Sequence, residues 1–311
     1  MTEGRLHPSL VRLLKDQRCV QTLGLLGSDL AGADVVSLLL ASMAQRSSDL
    51  STADVMSQYR RDRFVAPAQA DPIRLAQLRL QALQYLAPRF EPMEVAPVAP
   101  LGSHSVFARV GQNNVVTTTR LTEVAADPTN QLALEAADRR RRLRTSKLQT
   151  GDDVLLCAIQ RVLRAQVFDG ARSFSHFTLL GVVVAGRARA GGEFEIDALT
   201  QVLSGFAGFV GQATAHPIRI RLTDFDGSFG QVLTTVAARV GSDTVHCSVD
   251  GGREAGRGYY PSVCFKFSVD TGDEVVEVGD GGAVDWASSL LSDRKERLLI
   301  AGVSLERLAL L

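Results

Sequence analysis

The chain has 311 residues, of which 45% are hydrophobic and 22% are charged, so it has the composition of a globular protein with one large domain or two ordinary ones. Its 34 basic and 34 acidic side chains leave no net charge, which does not favour a general electrostatic grip on nucleic acid. No run of about 20 apolar residues is present, and residues 1–5 lack the apolar core of a signal peptide. We therefore expect a cytoplasmic protein without a membrane span.

The four cysteines are not arranged for a metal. Cys19, Cys157, Cys247 and Cys264 include no C-x-x-C pair, and each lies in or near an apolar stretch. This pattern predicts buried, reduced thiols and no metal site.

Residues 1–66 are predicted to form a helical N-terminal unit. Residues 51–54 have the sequence of a helix N-cap, and residues 66–72 contain two prolines and small residues, which is typical of a linker. A second domain is then expected over residues 73–311.

The second domain begins with a helix over residues 73–86, and residues 91–100 carry three prolines, which suit an edge or interface strand. A β-branched run at 115–119 predicts a strand. A helix over 129–144 ends in four arginines, Arg139 to Arg142, which either form a solvated helix face or bind phosphate.

Strands dominate the rest of the chain, separated by a helix at about 196–210. The strands are predicted at 154–164, 177–185, 218–222, 263–269 and 274–278, and a further strand leads into a last helix from residue 298. Without regular helical crossovers between them, these elements indicate an α+β domain around a largely antiparallel sheet.

Several segments, in chain order, carry residues that suit catalysis or ligand binding. A strand ending in Arg164 and Gln166 is followed by residues 170–177, with Phe174 and Phe177. Further on come the run 256–267 with its Tyr259–Tyr260 pair, then Gly281-Gly282-x-x-Asp285, and finally Gly302-x-Ser304-x-Glu306-Arg307. We interpret the last segment as a strand, a glycine turn and a helix N-terminus, which together can approach a phosphate.

Together these segments resemble motifs 1, 2 and 3 of the class II aminoacyl-tRNA synthetase core. The resemblance is greatest to histidyl-tRNA synthetase and to its paralogue, the regulatory subunit of ATP phosphoribosyltransferase. It implies an antiparallel sheet flanked by helices, a turn at Gly281-Gly282-x-x-Asp285, binding of ATP with Mg²⁺ held through the ATP, and a homodimer formed through residues 73–100.

The resemblance also implies site residues. Arg164 would clamp the α-phosphate and the substrate carboxylate, although a strand-end arginine can equally form a surface ion pair. Gln166 stands where the family has a glutamate for the adenine amino group, and Ser304 stands where it has the second glycine of a Gly-x-Gly-x-Glu-Arg element. Phe174 or Phe177 would stack on adenine, and Arg307 would reach the outer phosphates.

The segments that would bind the substrate match the family pattern less closely. Arg257 would be the second catalytic arginine, but two residues that the family has before its Tyr-Tyr pair are missing here. Tyr259 and Tyr260 would contact the substrate or simply pack the sheet. Glu123 or Asp127, with Thr129, would hold the substrate α-amino group, while Asp127 and Thr129 could equally cap a helix.

Two function classes remain open. The family's anticodon-binding domain would follow Arg307, but the sequence ends four residues later. This favours a non-tRNA acceptor, and residues 1–66 could contact a protein partner. One class is an ATP-dependent ligase that forms an acyl-adenylate from an amino or other carboxylic acid. The other is a non-catalytic regulatory or ligand-sensing subunit, which Gln166, Ser304 and the shortened segment before Tyr259 favour.

Overall fold

The structure is a computed structural model that describes residues 8–145, 153–166 and 174–311. The helices are α1 (Pro8–Leu13), α2 (Gln17–Gly24), α3 (Gly32–Ser48), α4 (Thr52–Arg61), α5 (Pro72–Leu86), α6 (Pro128–Thr145), α7 (Glu193–Thr214), α8 (Gly230–Val240), α9 (Trp286–Leu291) and α10 (Leu305–Ala309). The strands are β1 (Glu91–Met93), β2 (Val98–Pro100), β3 (Thr122–Val124), β4 (Val154–Leu163), β5 (His176–Arg187), β6 (Ile218–Asp224), β7 (Val245–Val249), β8 (Val263–Asp270), β9 (Val275–Val284) and β10 (Glu296–Ser304).

Eight strands form one mixed sheet in the order β1-β4-β5-β10-β9-β8-β6-β7. The six strands from β4 to β6 in this order are antiparallel, whereas the two outermost pairs, β1–β4 and β6–β7, are parallel. Strands β2 and β3 pair separately. The predicted α+β class with a largely antiparallel sheet is therefore confirmed.

Each face of the sheet carries its own apolar core. Helices α5, α7, α8 and α10 cover one face, with Phe206, Phe265 and Phe267 among its fully buried side chains. Helices α6 and α9 cover the other face, where Trp286 is buried. Burial of this much apolar surface from both sides is the main stabilising term for the sheet.

Three predicted elements differ from the structure. Residues 115–119 form no named strand, because the chain turns back at Leu121 (φ 54°) and only Thr117 makes an isolated bridge, to Glu123. Gly281 and Gly282 lie inside β9, not in a turn, and Gly302 lies inside β10. A side chain at Gly281 would come within 2.6 Å of the Ile300 carbonyl oxygen, so these glycines permit close packing of neighbouring strands.

The arginine run at the end of α6 does not form a uniformly solvated face. Arg140 is 1% exposed and forms a paired contact with the buried Glu296 of β10, with its Nε 3.0 Å from Oε2. Its neighbour Arg139 pairs with Glu91 and Glu135 near the surface. The buried pair joins α6 to β10, and a buried charge of this kind must keep its partner.

The cysteines are all free, but only Cys157 and Cys264 are buried, whereas Cys19 and Cys247 are partly exposed. Burial raises the pKa of the Cys157 thiol to about 12 and that of Cys264 to about 11. These two thiols therefore stay protonated at neutral pH.

In the described part of the N-terminal region, which starts at residue 8, helices α1 to α4 precede α5. Ser51 and Asp54 form the predicted cap at the start of α4, each side chain bonding the other residue's backbone N–H. Residues 62–71 contain no helix or strand. No helix in the described part of the chain is long and apolar enough to cross a membrane. The division into 1–66 and 73–311 stays a prediction.

Candidate functional site

A cavity of about 440 Å³ lies on the sheet face that α6 and α9 cover, beside the ends of β4, β5 and β10 and the middle of β9. Its volume is within the range of about 300–1,000 Å³ that is usual for small-molecule sites. Nine of the predicted site residues line it: Asp127, Thr129, Arg164, Gln166, Phe174, Phe177, Tyr259, Tyr260 and Arg307. The fold therefore brings together side chains that are up to 180 residues apart in the sequence, from Asp127 to Arg307.

Arg164 directly follows β4 and is held by two contacts. Its Nε donates to the Ala126 carbonyl oxygen at 3.0 Å, and its Nη2 donates to Asp127 Oδ2 at 3.2 Å. The guanidinium also lies 5.1 Å from the centroid of the Phe177 ring. Arg164 and Asp127 therefore form an ion pair, and this pair lies on the cavity wall.

The segment between β4 and β5 contributes Gln166 and Phe174 to the cavity. The predicted positions 170–173 of this segment lie outside the described residues. Arg63, just after α4, holds the two ends of the segment, donating to the Ala165 carbonyl oxygen at 2.5 Å and to Ser175 Oγ at 2.9 Å. The N-terminal region therefore contacts the site from the side of the β4–β5 connection.

Arg307 reaches the cavity from the first turn of α10. Its Nη1 donates to the Glu277 carbonyl oxygen at 2.7 Å, and its backbone N–H donates to the hydroxyl of Ser304 at 3.3 Å. Ser304 is the N-cap of α10. Capping of the helix explains a serine at the position where the family pattern has a second glycine. Glu306 is buried and accepts from the Thr178 backbone N–H and from Arg161, which fixes α10 against β5.

Asp127 and Thr129 combine the two roles that the sequence left open. Asp127 Oδ1 accepts from the Thr129 backbone N–H at 2.9 Å and from its hydroxyl at 2.7 Å, immediately before α6. Its other oxygen faces Arg164. Asp127 therefore caps the helix and at the same time presents a carboxylate to the cavity.

The tyrosine pair lines the cavity and also packs. The rings of Tyr259 and Tyr260 are 4.8 Å apart and nearly perpendicular, and Tyr259 lies 6.0 Å from Trp286. Burial raises the pKa of both hydroxyls well above the ordinary tyrosine value, and the nearby carboxylates raise it further. Both hydroxyls are therefore neutral hydrogen-bonding groups at physiological pH.

Glu123 does not reach the cavity, contrary to the predicted alternative that it holds an α-amino group. Its carboxylate is fully buried and accepts from four N–H groups, belonging to Gly102, His104 and Gln112. Burial raises the pKa of Glu123, but these hydrogen bonds together hold it below its usual range. Of the two predicted acids, Asp127 is the one that lines the cavity.

Arg257 also lies outside the cavity. Its guanidinium pairs with Glu254 at 2.8 Å and donates to the Phe225 carbonyl oxygen at 3.0 Å. The loop before Tyr259 turns at Gly256 and Gly258, both with positive φ, and this points Arg257 to solvent. Among the residues of this loop, the buried arginine is Arg253, which is 9% exposed.

Three ionisable residues of the cavity were missed. His104, Glu277 and Asp280 line it, and none was among the predicted site residues. Asp280 stands directly before the Gly281-Gly282 pair, so it was visible in the sequence, but the assignment of this segment to a turn concealed its place on a strand. His104 had no local sequence signal.

Solved structures share this fold. The chain superimposes on apo histidyl-tRNA synthetase from Staphylococcus aureus with a TM-score of 0.58 and 12% identity, covering 78% of this chain and 67% of that chain. It superimposes on an ATP phosphoribosyltransferase regulatory subunit/histidyl-tRNA synthetase from Bacillus halodurans with a TM-score of 0.56 and 12% identity, covering 78% and 80% of the two chains. For a histidine–tRNA ligase subunit from Alicyclobacillus acidocaldarius the TM-score is 0.57, again with 12% identity, and the coverage is 80% and 96%.

The protein therefore has the class II aminoacyl-tRNA synthetase fold, in the form seen in the histidyl enzymes and the regulatory paralogue. At 12% identity the likeness shows the fold alone. No protein-family model matches the chain, and no curated protein matches its sequence. The resemblance that was inferred from the ordered motifs is confirmed at the level of the fold.

Proposed function

We propose that the protein binds ATP and a small amino acid or other carboxylic acid in this cavity and joins them as an acyl-adenylate, for transfer to an acceptor other than tRNA. The observation that carries the proposal is that Arg164 and Arg307 line the same cavity. Asp127 and the tyrosine pair line it too. Cations suited to phosphates and a carboxylate suited to an ammonium group thus share one ligand-sized space.

In the proposed reaction, a carboxylate oxygen of the substrate attacks the α-phosphorus of ATP, the bond to the β-phosphate breaks, and pyrophosphate leaves. Arg164, held in place by Ala126 and Asp127, neutralises charge that develops on the α-phosphate. Arg307, fixed by its bond to the Glu277 carbonyl, binds the outer phosphates. Phe174 or Phe177 packs against adenine, and Gln166 hydrogen bonds to its amino group.

Mg²⁺ would enter with ATP, bound mainly by the phosphate oxygens. Glu277, whose carboxylate accepts from Lys266 at 2.6 Å, is the acid next to the Arg307 contact and suits such an ion. The ion would offset the negative charge of the phosphates beside Glu277.

ATP–pyrophosphate exchange across a panel of amino acids tests the proposal. Wild-type protein should catalyse exchange with at least one of them, and Arg164→Ala or Arg307→Ala should lower it by about 10²–10³-fold, because each removes a preorganised cation. Arg221→Ala, at an exposed arginine of β6, is the matched control and should keep the wild-type rate. Thermal unfolding of each variant checks that it is folded.

A second function, binding without chemistry, is favoured by one observation: Arg257, the predicted second catalytic arginine, faces away from the cavity. Calorimetry separates the two functions. ATP binding that needs Arg164 and Arg307, without exchange for any amino acid, would assign the protein to the regulatory or ligand-sensing class. Absence of ATP binding would contradict both.

The N-terminal helices support a protein contact as part of this function. Large apolar side chains on α2 to α4 are exposed, among them Leu23, Leu38, Met43, Val55 and Met56. We infer that these side chains contribute to an interaction surface. The proposed partner surface is the helical segment 1–66, of which residues 8–66 are described.

A further inference from the structure

Asp280 is a carboxylate on the cavity wall that the proposed ATP site does not use. It lies on β9, paired across the sheet with Lys266 and Gly302, and its side chain is 49% exposed. Its Oδ2 accepts from the hydroxyl of Tyr260 at 3.3 Å. Within the described ranges, no hydrogen bond is made to its Oδ1, so half of the carboxylate is available to a ligand.

A β-bulge turns Asp280 towards the cavity. The register between β8 and β9 shifts at Phe267/Ser268, which leaves Val278 without a partner on β8. Val276 and Val278 pack in the core under α5 and α7, whereas Val284 belongs to the opposite core. After the bulge, side chains of β9 alternate so that Asp280, Gly282 and Val284 share one face. Asp280 therefore faces the cavity.

The position of Tyr260 relative to Asp280 is also fixed by packing. A side chain at Gly282 would come within 2.6 Å of Tyr260 Cδ1, so this glycine makes room for the ring. The ring is 4% exposed and lies against Tyr259. The hydroxyl and the carboxylate thus form a preorganised pair.

Arg253 does not use up the charge of Asp280. Its Nη2 is 3.9 Å from Asp280 Oδ2, beyond the roughly 2.7–2.9 Å of a charge-assisted hydrogen bond, and its Nε donates to the Ala255 carbonyl. Burial raises the pKa of Asp280, Arg253 and Arg164 lower it, and the neighbouring carboxylates of Glu277 and Asp127 raise it. Among the residues that the structure describes, no cationic group lies at hydrogen-bonding distance from the carboxylate of Asp280.

The charges of a bound amino acid decide what this carboxylate recognises. The α-amino group of the ligand needs one acid, and Asp127 supplies it at the wall that also holds Arg164. A ligand with an uncharged side chain would cover Asp280 and leave its charge with only the Tyr260 hydroxyl at 3.3 Å and the Arg253 guanidinium at 3.9 Å, which is costly in a desolvated site. A second cation on the ligand would remove that cost.

We propose that Asp280 and Tyr260 form a side-chain subsite for a positively charged group, a guanidinium or a primary ammonium, so that the amino-acid ligand is a basic one. The inference rests on the proposed function in taking an amino acid as the ligand. Asp280 accepts the charged N–H groups, and Tyr260 orients the carboxylate through its hydroxyl.

Pairs of ligands that match in shape and differ in charge test the subsite. Calorimetry on the full chain, with a non-hydrolysable ATP analogue present and absent, would compare L-arginine with L-citrulline, L-lysine with L-norleucine, and L-histidine. At least one basic amino acid should bind tenfold or more tightly than its neutral counterpart. Equal affinity within both pairs, tighter binding of L-histidine than of either basic amino acid, or no binding of any of the five, overturns the inference.

Variants then test whether Asp280 causes the preference for a basic amino acid. Asp280→Asn should lower the affinity for the basic amino acid at least tenfold and leave its neutral counterpart unchanged or tighter, and Tyr260→Phe should weaken the basic ligand several-fold. Asp273→Asn, at an exposed acid just before β9, should change nothing. Retained discrimination in Asp280→Asn contradicts the inference, and the ligand pairs on wild-type protein test it even if that variant does not fold.

The same titrations separate the two proposals. Binding of the ATP analogue without any preference for a basic amino acid leaves the proposed function in place and removes the subsite. A basic amino acid that binds through Asp280 while ATP does not bind removes the proposed function and keeps the subsite.

Discussion

Glu123 is a fully buried carboxylate that organises the loop on one wall of the cavity. It accepts from the backbone N–H and from Nδ1 of His104, at 2.8 and 2.5 Å. The other ring nitrogen of His104 accepts from the Ala126 backbone N–H at 3.2 Å, so the ring proton is on Nδ1. Because the Ala126 carbonyl in turn holds Arg164, this chain of contacts leads from a buried acid to the catalytic arginine of the proposed reaction.

Glu123→Gln should destabilise the protein by roughly 2–3 kcal/mol at pH 7, because an amide accepts through one oxygen only and turns its NH₂ towards N–H donors. The folded pKa of Glu123 is lowered, so its stabilising contribution is present above the unfolded value of about 4.3 and is lost as pH falls through the folded value. The stability difference from wild type should therefore shrink below about pH 4.

Urea unfolding at pH 7, 5 and 3.5 measures this difference, and Glu94→Gln, at an exposed acid, is the control. A difference that does not change across this pH range, or that equals the control's, would show that Glu123 is not held as a carboxylate by its donors.

At the scale of elements, the connection between β4 and β5 is held from outside the sheet. Arg63 bonds to both of its ends, and the carbonyl of Ala66 bonds to Nε2 of His176 at the start of β5. Gln166 and Phe174, which lie between those ends, line the cavity. The segment after α4 therefore takes part in positioning two proposed ATP contacts.

Arg63→Ala should weaken ATP binding about three- to tenfold, equivalent to about 1 kcal/mol for the lost hydrogen bonds. The melting temperature should hardly change, because Arg63 is exposed. Calorimetric titration with ATP measures the affinity, and Arg60→Ala, at an exposed arginine on α4, is the matched control. If both variants bind ATP as wild type does, the contacts of Arg63 do not position the site.

The sequence predicted those elements whose signals are local. The strands from β4 to β10 that carry long apolar runs were found, as were α5, α6 and α7. The hydrophobic pattern of each of these elements can be recognised from its own residues, without reference to the elements that pack against it. Helix α8 was missed even though Val232, Leu233, Val236 and Val240 have helical spacing, since its β-branched residues weaken the pattern. Strand β7 is a short edge strand of five residues with one buried residue, and it gave no clear signal.

The site divides in the same way. Residues at strand and helix ends, such as Arg164 and Arg307, were predictable because their position follows from the element that carries them. Asp280 depends on the bulge at Val278, and the fate of Glu123 depends on His104, which is 19 positions away. Such orientations are set by tertiary packing, which a single sequence does not contain.

At the scale of the whole molecule, one face of α5 is exposed in the described part of the chain. Leu75, Leu78, Ala82 and Leu86 pack in the core, whereas the exposed positions of the helix carry no charge: Pro72, Ile73, Ala76, Gln77, Leu80 and Gln84. Ile73 is 68% exposed and Leu80 is 57% exposed. Strand β1, which follows α5, lies at the edge of the sheet beside β4. An uncharged helix face beside a sheet edge is typical of a buried interface.

We therefore predict a homodimer through residues 73–100, with a mass in solution twice the 33.4 kDa of the chain. Leu80→Asp should convert it to a monomer, because a charge on this face would be buried without a partner, while the stability of the single chain should change by only about 0.5 kcal/mol at an exposed site. Light scattering after size-exclusion chromatography measures the mass. Val249→Asp, on the exposed end of β7 at the opposite sheet edge, should leave the dimer intact. A wild-type monomer would contradict the predicted dimer. A dimer that persists in Leu80→Asp and dissociates in Val249→Asp would place the interface elsewhere. In either case the uncharged face of α5 would be left for a different partner.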